Sequence, residues 1–383
     1  FNLTEPPFFS EIVFKSICGI GDNVFVCLLV MKELSIYLKT TETCNLNCKH
    51  CFTNGSNGSK IYWNHTKVSD WLKRLQKALP DAPHVHLDFH GGEPFLADIE
   101  TLQYVYDNCK DLWKSQSWGV TTNLTFKLTQ EIIDFIQGPL KNRVGTSWDP
   151  DIRFANPKQY DLWRKNVQTL VNLGVDIKLF VSVTRGTIAI QPIELLEWVK
   201  DLGVKELALE RLTMNGSARQ NLDIFPTNIQ QDKWFLEMHH QSELVGARSW
   251  FDNEFLESVY SKFESGFTGS GTFCRDCEEK LFTLNADGTI AGCPNSAPEA
   301  FFGHIDQDIQ ELLNSPQRLE NIACERSRDP RCYTCEVFQY CNSDCHQLEW
   351  QNDVCGAPKS LMYYLAEINS SVKKKFIRIK EEK

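Results

Sequence analysis

Three cysteines stand within twelve positions of the stretch TETCNLNCKHCF, residues 41–52: Cys44, Cys48 and Cys51, in a C-x3-C-x2-C pattern. No other feature limits this chain more. Three thiols on one short loop ask for a metal, and the loop offers no fourth ligand. Thiolates select zinc, copper(I) or iron–sulfur clusters. A structural zinc site is closed by four protein ligands. A cubane can take three irons from the loop and leave the fourth open to an outside ligand.

The chain holds 15 cysteines in 383 residues, grouped in tight clusters rather than spread along the sequence. In a chain of this length, C-x2-C and C-x3-C spacing suits metal ligation in a reducing compartment better than a disulfide framework. The protein is therefore expected to be cytoplasmic. Its formal net charge is −10, from 50 acidic and 40 basic residues. That balance gives no argument for nucleic acid or for a membrane surface as a partner. No run of 18 uncharged apolar residues would span a bilayer. The basic run KKKFIRIK ends in EEK and reads as a solvated tail.

Apolar, β-branched runs recur at 33–41, 84–91, 117–123, 143–149, 176–184 and 206–213. Amphipathic helical patterns separate them, several closed by Leu-Gly stops such as Leu173-Gly174 and Leu202-Gly203. Six strands alternating with five helices predict parallel βαβ units. In such folds ligands gather at the C-terminal ends of the strands. Cys44 follows the first strand, HGGEP the second, Thr122-Asn123 ends the third, Ser147 and Asp149 the fourth, and Ser182 the fifth. Polar candidates from five successive strands converge better on a barrel mouth than on a single crevice. The expected fold is α/β, a partial (β/α)6 barrel followed by a cysteine-rich region.

CNLNCKHC resembles the cluster loop of radical S-adenosylmethionine (SAM) enzymes, and HGGEP resembles their Gly-Gly-Glu motif. The likeness covers roughly residues 33–213. It implies a [4Fe–4S] cluster on Cys44, Cys48 and Cys51, with SAM on the open iron. It also implies that Gly91, Gly92 and Glu93 meet the amino group of SAM. Ser147 and Ser182 match strand-end positions near the SAM ribose or carboxylate, and Arg153 resembles an arginine that follows strand four in the peptide-modifying branch, at a shorter spacing here. Such enzymes cleave SAM to a 5′-deoxyadenosyl radical that removes a hydrogen from the substrate.

A second resemblance lies downstream. Cys277, Gly288 and Cys293, then Cys332, Cys335, Cys341 and Cys345 in C-x2-C-x5-C-x3-C, then Cys355, fit the seven-cysteine SPASM motif. Cys274 adds an eighth thiol. By resemblance, Cys274, Cys277, Cys293 and Cys345 hold one auxiliary [4Fe–4S] cluster, and Cys332, Cys335, Cys341 and Cys355 a second, three clusters in all. A pair of four-thiolate zinc sites is the alternative reading of these eight residues. Cys109 reads as an apolar core residue, and His239-His240 as a helix surface.

The expected domains are an N-terminal extension at 1–32, whose place in the natural protein the sequence leaves open, and the radical SAM partial barrel at 33–225. A helical linker follows at 226–270, a SPASM auxiliary-cluster domain at 271–357, and a C-terminal helix with charged tail at 358–383. The resemblance implies a maturase that oxidatively crosslinks a ribosomally made peptide, fed by a reductant such as flavodoxin or ferredoxin. The residues ahead of Met31 are too few for a leader-binding domain, so substrate capture is expected to use the barrel mouth, a separate leader-binding protein, or neither. An anaerobic sulfatase-maturing enzyme, or a radical enzyme acting on a small molecule, is the alternative. Sulfatase maturation is disfavoured because Pro294 stands where that branch carries an aspartate after the cysteine. An electron-carrying scaffold without turnover is a further alternative. The sequence names neither substrate nor catalytic base.

Overall fold

The structure, a computed structural model, describes residues 33–53, 55–264, 273 and 275–369. The N-terminal extension, Cys274, most of the Gly/Ser-rich stretch before it and the basic tail lie outside the described residues.

The six expected strands are all present: β1 (Leu34–Lys39), β2 (Val85–His90), β3 (Gln116–Thr121), β4 (Arg143–Ser147), β5 (Asp176–Val183) and β6 (Glu206–Arg211). The helices α1 (His65–Ala78), α2 (Ile99–Cys109), α3 (Gln130–Gln137), α4 (Pro157–Asn172) and α5 (Pro192–Leu202) alternate with them. Local chemistry sets their ends. Asn64 caps α1 by accepting the Lys67 N–H, and Gly203 closes α5 in the left-handed region at φ +83°. β1 to β6 pair in order, all parallel. The sheet does not close on itself, so the architecture is a partial barrel.

The strand period of two separates the barrel's two faces. Leu34, Ile36 and Leu38 on β1, Val85, Leu87 and Phe89 on β2, and Leu179, Val181 and Val183 on β5 are buried beneath the helices. The helices return Trp71, Leu72 and Leu75 from α1 and Trp163, Val167 and Leu170 from α4. The alternate residues face the lumen and are polar: Tyr37, Asp88, Thr121, Lys178 and Glu210 line a cavity of ≈ 750 Å³ inside the barrel.

Beyond β6 the chain departs from the expected plan. The segment read as a helical linker forms α6 (Asn228–Leu244), β7 (Asp252–Asn253) and α7 (Glu254–Glu264). Trp234, Phe235 and Met238 of α6 belong to the common core, and β7 adds to the sheet beside β6. The cysteine-rich region is also continuous with the barrel. Its strand β8 (Leu281–Leu284) pairs in parallel with β1, and β9 (Thr289–Ala291) and β10 (Gly303–His304) extend that edge antiparallel. The result is one ten-stranded sheet, β10-β9-β8-β1-β2-β3-β4-β5-β6-β7. A buried ion pair, Arg211 with Asp344, fixes the end of β6 to the cysteine-rich region.

Candidate functional site

The loop after β1 leaves the barrel mouth at Thr40 and is held against the loop after β2. Gly92 N donates to Thr41 O at 2.8 Å and Glu93 N to Thr43 O at 2.8 Å. The two glycines are what allow this approach. Gly91 has φ +138°, and a Cβ there would stand 2.4 Å from Thr41 O; one at Gly92 would stand 2.2 Å from Thr43 O.

Cys44, Cys48 and Cys51 line one cavity of ≈ 230 Å³ at the barrel mouth. Gly91, Gly92, Ser147, Arg153 and Ser182 share its wall. Each sulfur receives a donor. Leu46 N and Asn123 Nδ2 reach Cys44 Sγ at 3.4 and 3.5 Å, Arg153 Nη1 reaches Cys48 Sγ at 3.9 Å, and Gly55 N reaches Cys51 Sγ at 3.1 Å. Burial pushes the Cys44 thiol up to about 11 and the Cys48 thiol up to about 12. A metal that takes these sulfurs therefore has to displace protons.

Arg153 is fixed by Asp149, whose Oδ2 accepts its Nε–H at 2.7 Å while Oδ1 accepts the Ser182 N–H at 2.7 Å. One carboxylate thus ties the residues following β4 to the end of β5. Glu93 departs from expectation. It is fully buried and is not part of the cavity wall. Its carboxylate accepts the Asn123 N–H at 2.7 Å, the Thr122 hydroxyl at 2.8 Å and the Phe95 N–H at 3.1 Å. It therefore joins the loops after β2 and β3. Burial raises its pKa to about 7.

Lys39 and Glu210 on this wall are not among the site residues expected from the sequence, whereas Asn123 is the polar candidate expected at the end of the third strand. The signal for Lys39 and Glu210 was the strand period. Lys39 follows Tyr37, and Glu210 follows Glu206 and Ala208, on the lumen face. Burial lowers the Lys39 pKa. Glu210 is exposed to the open lumen, and its desolvation among the barrel walls, with Glu254 and Asp149 nearby, raises its pKa to about 7. Glu210 is the one carboxylate on this wall among the described residues.

The C-terminal cysteines divide between two cavities. Cys277, Cys293 and Cys345 line one of ≈ 230 Å³, together with Glu325 and His346. Cys332, Cys335, Cys341 and Cys355 line another of ≈ 590 Å³, whose rim Cys324 and Cys345 also reach. The chain carries Cys345 away from Cys341 through three consecutive left-handed residues, Asn342, Ser343 and Asp344, at φ +51°, +68° and +52°. Such a turn is costly for residues with a Cβ. Buried partners hold it: Arg211 pairs with the Asp344 side chain, and Arg275 Nη1 donates to Asp344 O at 2.6 Å. Among the described residues, no three Cys, His, Asp or Glu side chains converge tightly enough to hold one metal ion. Cys109, the last residue of α2, is buried in the core; His240 is exposed on its helix as expected, but His239 is buried against Tyr260, its Nδ1 2.8 Å from the phenol oxygen. Among the described residues no helix is long and apolar enough to cross a membrane.

Residues 35–143, which include the three loop cysteines, match a family described as a 4Fe–4S single cluster domain. An uncharacterised protein of Methanocaldococcus jannaschii is 30% identical over 122 residues, 31% of this chain and 39% of that protein, so the chain spans well under half the length of this relative. The radical SAM cyclopropyl synthase TigE of Paramaledivibacter caminithermalis is 20% identical over 342 residues, 81% of this chain and 67% of TigE. Among solved structures, native anSMEcpe with bound AdoMet and Cp18Cys peptide has a TM-score of 0.72 at 17% identity, covering 89% of this chain and 99% of that one. Streptococcus suis SuiB bound to S-adenosylmethionine has a TM-score of 0.58 at 14% identity, covering 82% and 73%.

Proposed function

We propose that this chain, a radical SAM enzyme by its fold and cluster loop, oxidatively crosslinks a ribosomally made peptide. One observation carries the reading. The three loop cysteines, which follow β1, share a single cavity wall with Gly91, Gly92, Ser147, Arg153 and Ser182, from the ends of β2, β4 and β5. The donor set fits a [4Fe–4S] cluster with one open iron, because three thiolates converge on one cavity that also has polar walls for a second ligand. Cys44, Cys48 and Cys51 would hold such a cluster, which when bound would supply the one-electron reducing chemistry for SAM cleavage and hydrogen abstraction from the substrate.

The protein's part is to bind and orient. The main chain at Gly91 and Gly92 borders the cavity and would meet the amino-acid portion of SAM. The hydroxyls of Ser147 and Ser182 offer donors and acceptors to a ribose or carboxylate. Arg153 supplies positive charge beside Cys48. The eight C-terminal thiols, Cys274 with the seven on the two cavity walls, would hold two auxiliary clusters in the crossed arrangement stated above. The cavity of Cys277, Cys293 and Cys345 adjoins the SAM cavity, since Glu210, Arg211, Thr213 and Asn295 border both. An electron left on a substrate radical would have a short path to an acceptor there. The proposed partners are a flavodoxin or ferredoxin as reductant and a separate leader-binding protein.

A second reading is oxidation of a single side chain, as in sulfatase maturation. It draws on the likeness to anSMEcpe, whose structure holds a cysteine-containing peptide. Against it stands Pro294, on the cavity wall directly after Cys293, with no ionisable side chain to accept a proton. The test is anaerobic turnover of candidate peptides encoded beside the gene, with SAM and dithionite. A crosslink appears as loss of two hydrogens, with the joined residues failing to separate on fragmentation. An unlinked residue two hydrogens lighter would select the second reading. Unchanged mass in ordinary water, with one deuterium gained at an α carbon in deuterated water, would select epimerisation and refute both.

A further inference from the structure

The three cluster-loop sulfurs are served by donors of different origin. Cys51 takes a main-chain amide four residues away, and Cys48 a guanidinium. Cys44 takes the Leu46 main-chain N–H at 3.4 Å and, in addition, the side-chain amide of Asn123, from the loop after β3, 79 residues distant. Every polar group of Asn123 that bears on its orientation is engaged. Its Oδ1 accepts the Thr125 N–H at 2.8 Å and the Thr125 hydroxyl at 2.5 Å. Its Nδ2 donates to Asn45 Oδ1 at 2.7 Å as well as to Cys44 Sγ at 3.5 Å. Its own N–H is held by Glu93 Oε2 at 2.7 Å. The donor Thr125 N–H fixes which end of the amide is oxygen, so the NH2 must face the sulfur. The residue is 7% exposed, so water does not compete for these contacts.

We propose that Asn123 is a positioning residue that sets how readily the cluster on Cys44, Cys48 and Cys51 is reduced, with Glu93 as its anchor. The inference rests on the radical SAM reading and deepens it. The added electron spreads onto the cluster sulfurs, and a hydrogen-bond donor stabilises the more negative, reduced state. Removing the donor lowers the potential. No proton or further reactant takes part, because the reductant supplies one electron and the cluster holds it. The Glu93 carboxylate acts through Asn123, by keeping the loop after β3 at the depth where the amide reaches Cys44.

The test uses the full chain, reconstituted with iron and sulfide, as wild type, Asn123→Ser and Asn123→Asp. Serine keeps an acceptor for Thr125 N–H but is too short to reach Cys44. Aspartate keeps the length and turns an acceptor toward the sulfur. Redox titration with dithionite, read by electron paramagnetic resonance on the signal that SAM perturbs, isolates this cluster from the others. The serine variant should lower the ratio of reduced to oxidised cluster at a given potential about tenfold, which is about 59 mV for one electron. The aspartate variant should lower it further. Unchanged potentials with full iron content overturn the proposal. A second measurement needs no substitution: wild type labelled with ¹⁵N only at asparagine side-chain amides should show a ¹⁵N coupling to the reduced cluster, and its absence overturns the proposal as well. A wild-type signal that SAM leaves unmoved overturns the radical SAM reading, and the inference with it.

Discussion

Replacing Glu93 with alanine separates a residue that touches SAM from one that builds the site. If the carboxylate met only the SAM ammonium, the protein without SAM would fold as before. Affinity would then fall by roughly 10- to 150-fold, the worth of a charge-assisted contact. The structure predicts otherwise. The carboxylate is fully buried and accepts two main-chain N–H groups and one hydroxyl. Alanine leaves all three without an acceptor. The Thr122 hydroxyl can rotate, but the Phe95 and Asn123 amides cannot. At about 1–3 kcal/mol for each orphaned buried donor, the two amides alone cost about 2–6 kcal/mol. Domain stabilities run at about 5–15 kcal/mol, so the loss should be plain without any ligand. The assay is urea unfolding of metal-free protein followed by tryptophan fluorescence, with SAM binding to the reconstituted protein measured in parallel. The midpoint should fall sharply in Glu93→Ala. A midpoint within about 0.5 kcal/mol of wild type, together with weakened SAM binding, would refute the structural role and restore the ligand contact.

Replacing Cys44, Cys48 and Cys51 together with alanine should remove about four of about twelve irons and abolish 5′-deoxyadenosine formation, leaving the auxiliary clusters; 5′-deoxyadenosine from that variant would show the cluster assignment to be wrong. Arg211→Met should cost about 3–5 kcal/mol, because Asp344, 2% exposed, would keep a buried charge without its partner; iron analysis should show auxiliary-cluster loss first, and an unchanged urea midpoint would refute it. Burial raises Asp88 and Glu93 to about 7, so both bind protons more tightly folded than unfolded. The stability they contribute is full below about pH 4 and is lost as pH rises through about 7. Asp88→Asn, which keeps an acceptor for the Thr121 hydroxyl, should flatten that decline in urea midpoints across the window; an unchanged slope would count against a shifted Asp88.

The barrel was legible because each of its units is written locally. Six alternating runs with glycine or polar stops place six strands, and Cys44, Ser147 and Ser182 follow from strand ends alone. What escaped depends on contacts between distant residues. β8 is four residues long, too short to show a period, and its partner β1 lies on the far side of the whole barrel sequence. α6 carries Trp234, Phe235 and Met238 into the core without a clear apolar stripe along its length, so the pattern alone reads as a linker. Glu93 shows the limit of a motif. Its position after two glycines is a local fact, but its use is decided by Thr122 and Asn123, about thirty residues later. The glycines turn out to serve the protein before any ligand, since a Cβ at either would collide with the cysteine loop. The Gly-Gly-Glu segment can thus be read as a clamp: the glycines bring the cluster loop down, and the glutamate fixes the loop that carries Asn123 to Cys44. A sequence pattern attributed to ligand binding then also specifies the geometry of the ligand-holding thiols. A substitution there should disturb the protein before SAM arrives.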